Sequence, residues 1–367
     1  MRERNKGNWD RWEKLQHFYK NKRVLITGHT GFIGSWLTKC LSMMGANILG
    51  YSLEPPSKPN MYDEIRLSEG LMDLRKDIRD TESLKKSIQE FEPKIVFHLA
   101  AQPIVLKSYD NPVETFETNV MGTVNLLDGL RRIGSVKVII VMTSDKVYRK
   151  NERVHTSYRE NDPLGGKDPY SASKSSQDIV VSSFRESYFT ELGVGVSTVR
   201  AGNVIGGGDW GAHRIVPDIV RGVTEGNIIR IRNPDYVRPW QYVLEPISGM
   251  LMLAQRMWDD IKFSGEWNFG PNNQREITVK ELVDKFLKKW GSGSYTIAKD
   301  NEAREANYLQ LDICKAKNVL IWSPKYSFEE SIEETVEWYN AYYKNKDNIN
   351  NVTEKQIKTY FEGGKNE

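Results

Sequence analysis

Three features of the sequence predict its fold class. Strands and helices alternate from Lys22 to Arg200, a glycine-rich turn joins the first strand to the first helix, and the alternation breaks down after about residue 204. Such alternation is typical of a parallel sheet with helices on both faces. The sequence therefore predicts an α/β fold, a Rossmann-type doubly wound parallel sheet with a smaller mixed α/β substrate-binding lobe.

The strands of the first part are short apolar runs, as expected for strands that are covered on both faces. They are predicted at Lys22–Thr27, Asn47–Leu53, Lys94–Leu99, Val136–Met142 and Val194–Arg200. Between them, apolar residues at helical spacing predict helices at Phe32–Met44, Thr81–Phe91, Asn119–Ile133 and Tyr170–Thr190. In the second part, loops and short strands dominate until helices return at Ile247–Trp258 and Thr278–Lys289.

Four segments follow from this pattern. Residues 1–19 are a locally basic leader, which we expect to pack loosely before the first strand. Residues 20–203 form the Rossmann domain, and residues 204–343 form mainly the second lobe, with some segments returning to the Rossmann domain. Residues 344–367 are a polar tail, expected to be mobile apart from a short helix near Glu354–Phe361.

Composition excludes several functional classes. Hydrophobic residues make up 39% of the 367 residues and charged residues 28%, which is an ordinary globular balance. The net charge of +3 is too small to indicate nucleic acid as a partner. The longest strongly apolar run, Val138–Met142, is too short to span a bilayer, and the polar N-terminus lacks the apolar core of a signal peptide. With only two cysteines, Cys40 and Cys314, a cytoplasmic location is expected.

The glycine-rich turn predicts a dinucleotide site. Gly28, Gly31 and Gly34 follow the first strand and open the first helix, with Thr30, Phe32 and Ile33 between and beside them. Glycines at this place permit a tight turn and close approach of the backbone to a pyrophosphate at the helix N-terminus. The strand before the turn and the apolar helix after it strengthen the prediction.

Further along, the sequence offers residues for the rest of the dinucleotide. Ser52 lies at the expected register for the ribose, with the acidic Glu54 as the alternative, and no arginine follows that strand to receive a 2′-phosphate. NAD is therefore favoured over NADP. Asp77 and Ile78 are candidates for the adenine, although Asp77 could equally cap a helix near Arg79. The candidates for the middle of the cofactor follow the His98 strand and are Ala100, Ala101 and Gln102.

Two short segments carry side chains suited to acid/base chemistry. Tyr170 and Lys174 are four residues apart, so on a helix they share one face. Because a neighbouring cation favours the phenolate, we expect Lys174 to lower the pKa of Tyr170 and so provide a base beside the nicotinamide. Asp145 and Lys146 offer a second acid/base pair, which simple alcohol oxidation would not need. The alternative for this pair is a surface turn after a strand.

With these residues, the chain resembles the extended short-chain dehydrogenase/reductases that modify nucleotide sugars, and among them the CDP-glucose 4,6-dehydratases. The resemblance runs from about His17 to Tyr343. Its motifs are Thr27–Leu37, His98–Pro103, Thr118–Val120, Thr143–Tyr148, Leu164–Lys174, Arg200–Trp210, Arg238–Pro246 and Trp267–Pro271. By this resemblance Asn119 and Thr143 are further cofactor-binding candidates, and Tyr170 and Lys174 contact the cofactor too.

The chain departs from that branch at four positions. Ile33 replaces a lysine, Leu106 an arginine, and both Lys167 and Tyr242 replace histidines. Leu106 and Tyr242 are expected near the substrate, so they bear on which sugar or base is bound.

The resemblance implies an internal redox dehydration that leaves a 4-keto-6-deoxy sugar, in O-antigen or capsule synthesis. Tyr170 would accept the proton of the sugar 4-hydroxyl, and Ser144 would hydrogen-bond that hydroxyl. Asp145 would protonate O6, if burial raises its pKa. Lys146 would be the base at C5 or stabilise the enolate while charged.

The same resemblance implies the substrate contacts, which are Ser144, Asn203, Arg214 and Arg238. The remaining arginines of this region are expected to be solvated or structural, namely Arg200, Arg221, Arg230 and Arg232. The histidines show no metal-ligand spacing, so no metal is expected.

Other functions remain open at this stage. A nucleotide-sugar 4-epimerase would share Tyr170 and Lys174 but would carry small neutral residues where Asp145 and Lys146 stand. A dehydratase acting on another nucleotide sugar, or one that inverts C5, would retain the pair. A non-enzymatic NAD-binding regulator would need none of these side chains. A homodimer is expected from the resemblance, through helices at 119–133 and 170–190 that include Val180, Val181 and Phe184.

Overall fold

The computed structural model describes residues 11–150, 157–272, 275–298 and 308–363. Its strands are β1 (Arg23–Thr27), β2 (Asn47–Ser52), β3 (Met72–Arg75), β4 (Ile95–His98), β5 (Val138–Met142), β6 (Gly195–Arg200), β7 (Val204–Ile205), β8 (Ile229–Ile231), β9 (Gln241–Tyr242), β10 (Gly265–Asn268) and β11 (Tyr295–Ile297). All five strands predicted from the apolar runs are present, and β3 and β10 extend the sheet.

The helices enclose the sheet on both faces. They are α1 (Arg11–Tyr19), α2 (Phe32–Met43), α3 (Met61–Glu64), α4 (Thr81–Phe91), α5 (Val105–Asp110), α6 (Pro112–Phe116), α7 (Gly122–Leu130), α8 (Pro169–Phe184), α9 (Ile215–Glu225), α10 (Leu244–Asp259), α11 (Val279–Trp290), α12 (Phe328–Lys344) and α13 (Ile349–Glu362). A π-helical turn, Glu117–Met121, joins α6 to α7, and a 3₁₀ turn, Asp145–Val147, follows β5. Among the described residues, no helix has both the length and the apolarity needed to cross a membrane.

Seven parallel strands form the central sheet in the order β10-β6-β5-β4-β1-β2-β3. The chain order reverses between β1 and β4, which leaves a crevice at the carboxyl ends of these strands. This is the Rossmann-type doubly wound sheet that the sequence predicts, and the fold class is confirmed. Two small two-stranded sheets, β7-β9 and β8-β11, lie in the second part of the chain.

Alternate residues of each central strand supply two separate cores. In β1, Val24 and Ile26 belong to one core and Leu25 to the other, because successive side chains of a strand point to opposite faces. The larger core includes α2, α10, α12 and α13, whereas the smaller one includes α4, α7 and α8.

Two terminal segments pack more closely than the sequence indicates. Residues 11–19 of the basic leader form α1, in which Trp12, Leu15 and Tyr19 are buried; residues 1–10 lie outside the described residues. The ring of Trp12 lies 5.4 Å from that of Phe361 in α13. The expectation of a loose leader is therefore wrong for residues 11–19, whose apolar face completes the larger core. In the tail, the helix expected near Glu354–Phe361 is present, but α13 begins at Ile349 and buries Ile349 and Thr353, so the expected mobility is wrong there; residues 364–367 lie outside the described residues.

Candidate active site

A large cavity of about 1050 Å³ opens at the carboxyl edge of the central sheet. Its wall begins at the glycine-rich turn after β1, passes the ends of β4 and β5, and continues to the segment around β8. Ligands of doubly wound sheets bind at this edge, where the strand order reverses. The cavity is at the upper end of the size range of small-molecule sites, which leaves room for a large ligand or two adjoining ligands.

Steric constraints explain the glycines of the turn. Gly28 has a positive φ of 76°, and a Cβ atom there would lie 2.6 Å from the backbone nitrogen of Ala100. At Gly34, a Cβ atom would lie 2.1 Å from the carbonyl oxygen of Gly28. Gly31 is the N-cap of α2 and offers no side-chain cap. The first residues of α2 line the cavity, and the N–H groups of a helix's first turn have no partner within the helix, as required for binding a phosphate.

A buried cluster that the sequence analysis missed supports this turn. His29 is fully buried and hydrogen-bonds Asp73 through Nε2, at 2.9 Å from Oδ1. Asp73 Oδ2 accepts hydrogen bonds from the Tyr62 hydroxyl at 2.7 Å and from Arg75 Nη2 at 2.8 Å. Burial lowers the pKa of His29 to about 4, so the ring is neutral near pH 7. The carboxylate of Asp73 therefore ties the phosphate-binding turn to β3 and α3.

At one end of the cavity lie the candidates for the adenosine half. The hydroxyls of Thr30 and Ser52 are 2.8 Å apart, and both residues line the cavity. Asp77 also lines it, but Arg79 occupies its carboxylate, with Nη2 at 2.7 Å from Oδ2. Arg79 accordingly lowers the pKa of Asp77. Ile78 lines the cavity next to this pair.

In the middle of the cavity, Ala100, Ala101 and Gln102 form the wall beyond β4. Asn119 lies behind that wall and is fully buried. Its Oδ1 accepts from the backbone nitrogen of Gln102 at 2.8 Å, and its Nδ2 donates to Ser173 Oγ at 2.9 Å. The structure therefore places Asn119 where it fixes the wall relative to α8, and not on the cavity surface.

Tyr170, Ser144 and Lys174 line the cavity where β5 ends. Asp168 caps the N-terminus of α8, and Tyr170 lies in the first turn of that helix. Lys174 Nζ donates to the carbonyl oxygen of Met142 at 3.3 Å and to Gln177 Oε1 at 2.8 Å. Thr143 also lines the cavity, and its hydroxyl donates to Asp178 at 3.0 Å.

The electrostatics of Tyr170 differ from the sequence expectation. Burial raises its pKa above the ordinary value, while Lys146, the hydrogen bond from Ser144 and Arg214 act to lower it. Lys174 is itself buried, which lowers its pKa to about 7. Lys174 is thus only partly protonated near pH 7. The cation that lowers the pKa of Tyr170 most is Lys146.

Asp145 and Lys146 form the 3₁₀ turn that follows Ser144. Ser144 Oγ lies 3.1 Å from Asp145 Oδ1, and the backbone nitrogen of Lys146 donates to the same Oγ at 3.1 Å. Asp145 is 1% exposed, and its Oδ2 is buried without a hydrogen-bond partner. This carboxyl is part of the cavity wall, which argues against an exposed surface turn.

On the other side of the phenol lie the substrate candidates. Asn203 adopts a left-handed conformation, with φ of 48°, and its Oδ1 is buried without a partner beside the cavity. Arg214 pairs with Asp209, with Nη1 at 3.1 Å from Oδ2. Arg238 lies over the ring of Tyr236, with its guanidinium carbon 5.0 Å from the ring centroid.

Two arginines that the sequence analysis set aside also line this end of the cavity, Arg230 and Arg232. They flank Ile231, which is 1% exposed, so both lie on the open face of β8. This alternation was visible in the sequence and could have identified them. Arg200, in contrast, is buried in an ion pair with Asp178 at 2.8 Å, as expected of a structural residue.

Only one of the two departures expected near the substrate lies there. Leu106 lines the cavity. Tyr242 is fully buried in the larger core, where its hydroxyl donates to Gln356 Oε1 of α13 at 3.0 Å. The expectation for Tyr242 is therefore wrong, because β9 turns this side chain away from the cavity and toward α13. In the part of the chain that the structure describes, no cluster of His, Cys, Asp or Glu could hold a metal ion.

Comparisons with known proteins agree with this geometry. The GDP-mannose 4,6 dehydratase family model matches residues 25–335. A CDP-glucose 4,6-dehydratase of Salmonella typhimurium is 46% identical over 339 residues, which cover 90% of this chain and 94% of that protein. The chain belongs to the GDP-mannose 4,6 dehydratase family. The resemblance stated from the sequence is thereby confirmed.

More distant members and solved structures cover the chain similarly. The dTDP-glucose 4,6-dehydratase 1 of Escherichia coli is 26% identical over 357 residues, covering 89% of this chain and 95% of that protein. The structure of UDP-glucose 4-epimerase from Thermotoga maritima with UDP-glucose has a TM-score of 0.73 and 26% identity, covering 87% of this chain and 98% of that one. The dTDP-glucose 4,6-dehydratase of Bacillus anthracis in complex with NAD, at 24% identity and a TM-score of 0.73, covers 89% of this chain and 98% of that one and shares the fold.

Proposed function

We propose that this protein is an NAD-dependent hydro-lyase that converts CDP-D-glucose to CDP-4-keto-6-deoxy-D-glucose. The observation that carries the proposal is the position of Asp145 and Lys146 beside Tyr170 in one cavity. Oxidation of an alcohol needs one base, whereas elimination of water needs a second acid/base pair. The 46% identity to a CDP-glucose 4,6-dehydratase supports both the reaction and the nucleotide.

The residues present fit NAD. The glycines that keep side chains away from the turn, the open N-terminus of α2 and the room beside Thr30 and Ser52 suit a dinucleotide. When bound, NAD would accept hydride from C4 of the sugar and return it to C6. Tyr170 and Lys174 line the wall where the nicotinamide would have to meet the sugar.

Oxidation at C4 needs a group that accepts the 4-hydroxyl proton. Tyr170 is suited to this role, because it lines the cavity and its neighbours Lys146 and Ser144 act to lower its pKa. Ser144 lines the cavity beside Tyr170 and is the candidate for a hydrogen bond to the sugar 4-hydroxyl. As the C4–H and O4–H bonds break, a C4 ketone forms, and this ketone acidifies the hydrogen at C5.

Elimination then breaks the C5–H and C6–O6 bonds and forms a C5–C6 double bond. The carboxyl of Asp145, when it carries a proton, is the group that can protonate O6, so that O6 leaves as water. Asp145 lines the cavity together with Tyr170. Lys146 lies on the same turn and can accept the C5 proton when neutral. A proton returned to C5 completes the product once C6 has received hydride.

Binding of the nucleotide diphosphate is assigned to the arginine-rich end. Arg214 and Arg238 line the cavity beyond the reacting side chains, and their planar guanidinium groups match phosphate oxygens bidentately. Asn203 lines the same cavity as Tyr170 and the two arginines and is the candidate for a contact with the hexose.

Mass spectrometry of CDP-glucose incubated with the purified protein and NAD⁺ tests this function. We expect loss of one water from CDP-glucose, and we expect Tyr170→Phe to abolish it. UDP-, dTDP- and GDP-glucose serve as parallel substrates. Water loss from one of these alone would leave the reaction in place and change the nucleotide. An isomerised sugar without water loss would mean that the protein is an epimerase.

We also propose that the protein is a homodimer and works in the cytoplasm. Exposed large apolar side chains gather on α5, α6, the π-helical turn Glu117–Met121, α8 and a second π-helical turn, Arg185–Phe189, which follows α8. These elements pack next to one another. The side chains are Tyr109, Val113, Phe116, Met121, Ile179 and Tyr188. An apolar patch of this kind indicates a protein–protein contact. Both cysteines are free, which is consistent with a reducing compartment.

A further inference from the structure

The carboxyl group of Asp145 occupies the space that a side chain at residue 202 would need. A Cβ atom at Gly202 would lie 1.9 Å from Asp145 Oδ2, 2.0 Å from Cγ and 2.4 Å from Oδ1. No real Cβ makes contacts this short, so the carboxyl would have to move away if residue 202 carried even a methyl group.

The backbone conformation at residue 202 does not require glycine. The φ of Gly202 is not in the left-handed region, unlike that of Gly28 or Gly208. Instead, its backbone is held in place by Gln241, whose Nε2 donates to the carbonyl oxygens of Gly202 and Phe269, each at 3.0 Å. Gln241 is 2% exposed, so this anchor is part of the core and the backbone at 202 cannot easily retreat.

Asp145 is equally constrained from its own side. Its backbone nitrogen donates to the carbonyl oxygen of Ala201 at 3.3 Å, and Ser144 Oγ lies 3.1 Å from its Oδ1. Parallel pairing of β5 with β6 brings these two strand ends together. The carboxyl thus lies between the Ser144 hydroxyl and the bare Cα of Gly202, with Oδ2 left without a partner.

We infer that Gly202 is a positioning residue, whose missing side chain sets where the Asp145 carboxyl stands relative to O6 of the sugar. This inference rests on the proposed function for its catalytic meaning. It assigns Gly202 to the elimination of water more than to oxidation at C4, because the three atoms nearest to a Cβ at residue 202 all belong to Asp145.

The first test is a double-mutant cycle in the protein without ligands. Gly202→Ala should lower the denaturant midpoint of the wild type and lower that of Asp145→Ala much less, because removal of the carboxyl makes room for the methyl group. Gly134→Ala, whose Cβ meets nothing within 4 Å, controls for the loss of a glycine. Gly195→Ala, whose Cβ would lie 3.0 Å from that of Met257, controls for crowding away from the cavity and should not couple to Asp145→Ala.

The second test separates the chemical steps in a single turnover with CDP-glucose. In Gly202→Ala we expect C4 oxidation, followed by the absorbance of reduced nicotinamide, to stay within a few-fold of wild type. Water loss, followed by mass spectrometry, should slow by about a hundredfold, as for other misplacements of about 1 Å. Reduced nicotinamide should therefore persist in the variant.

Two results would overturn the inference about Gly202. One is equal slowing of oxidation and water loss, and the other is additivity of the two substitutions in unfolding. A wild-type protein that removes no water from CDP-glucose overturns the proposed function instead. In that case the unfolding cycle still decides whether Gly202 sets the position of the carboxyl.

Discussion

The positive charge of Lys146 acts on the pKa of the Tyr170 phenol. Burial raises the pKa of Tyr170, and Lys146 is the leading cation opposing that rise. The phenolate becomes more abundant as pH rises, so the rate of C4 oxidation should increase with pH. Replacing Lys146 by glutamine removes the cation, which raises the pKa of Tyr170 further and moves this increase to higher pH.

The measurement is the pH dependence of C4 oxidation in a single turnover. Lys146→Gln should show the increase at more alkaline pH than wild type, and Lys146→Arg, which keeps the charge, should resemble wild type in this step. Water loss should decline in both variants if Lys146 is also the C5 base. An unchanged pH profile in Lys146→Gln would show that its charge does not reach Tyr170.

Among single residues, the sequence predicted which side chains line the cavity near Tyr170 better than it predicted their contacts. Spacing alone linked Tyr170 to Lys174, but it could not show that Lys174 is anchored on the backbone of β5. It also missed His29, since a single histidine in a glycine-rich turn gives no sign of a distant partner such as Asp73. Tyr242 was misplaced because a two-residue strand gives no reliable signal of which way its side chains point.

Among the elements, the phosphate-binding turn depends on β3 through a single carboxylate. Asp73 accepts hydrogen bonds from His29, Tyr62 and Arg75, so replacing it by asparagine removes the charge and puts a donor where an acceptor is needed. The resulting unmet hydrogen bonds should cost about 1–3 kcal/mol of stability. We also expect weaker binding of NAD, on the order of tenfold, because the turn loses its anchor.

Calorimetric titration of NAD into Asp73→Asn, with unfolding followed in parallel, measures both effects. Asp128→Asn is a suitable control, since Asp128 pairs with Lys85, Arg131 and Arg132 outside the cavity. Unchanged NAD affinity in Asp73→Asn would mean that the turn is held by α2 and β1 alone.

The C-terminal helix α13 is joined to the core through Glu245 of α10. Its carboxylate accepts from the Tyr360 hydroxyl at 2.6 Å and from the backbone nitrogen of Tyr326 at 2.8 Å. Burial outweighs these donors and raises the pKa of Glu245 to about 7. Between its ordinary value of 4.5 and about 7, the folded protein retains a proton that the unfolded chain releases.

Stability should therefore fall as pH rises through this window, by up to about 3 kcal/mol at the upper end. Glu245→Gln, which cannot ionise, should remove this part of the pH dependence. Chemical denaturation at several pH values between 4.5 and 7 tests it, with Glu330→Gln, an exposed helix-capping residue, as the control. A slope that is the same in Glu245→Gln and in the wild type would contradict the assignment.

Five of the seven strands of the central sheet were predictable because each is an apolar run between polar segments, whereas the edge strands β3 and β10 are not apolar runs. The terminal helices α1 and α13 were not predicted in full, since their many charged residues obscured the helical spacing of their apolar residues. In α1, Trp12, Leu15 and Tyr19 recur at helical spacing, but they are buried in the folded chain, where Trp12 packs beside α13. A helix whose apolar face is matched by a segment more than 300 residues away cannot be placed from local sequence.

For the whole molecule, the exposed apolar face of α6 and α8 indicates assembly. Val113 is 68% exposed and Ile179 58% exposed, whereas buried Val181 already belongs to the smaller core. Val180 and Phe184 pack partly against the same core. The sequence prediction therefore chose the right helix for the exposed face but named side chains that are partly or fully used by the core. Burying each exposed aliphatic side chain in an interface would contribute about 1.5–3 kcal/mol, and a twofold contact counts each one twice.

We therefore expect the wild-type protein to be a dimer at micromolar concentration, and Val113→Glu with Ile179→Glu to be a monomer, because two charges per chain would be buried against apolar surface. Light scattering after size-exclusion chromatography measures both. Val319→Glu, a change at a 53% exposed position remote from this face, should remain a dimer. The cavity is lined by residues of one chain, so the monomeric variant should still bind NAD. A dimer that survives both substitutions would place the contact on another surface.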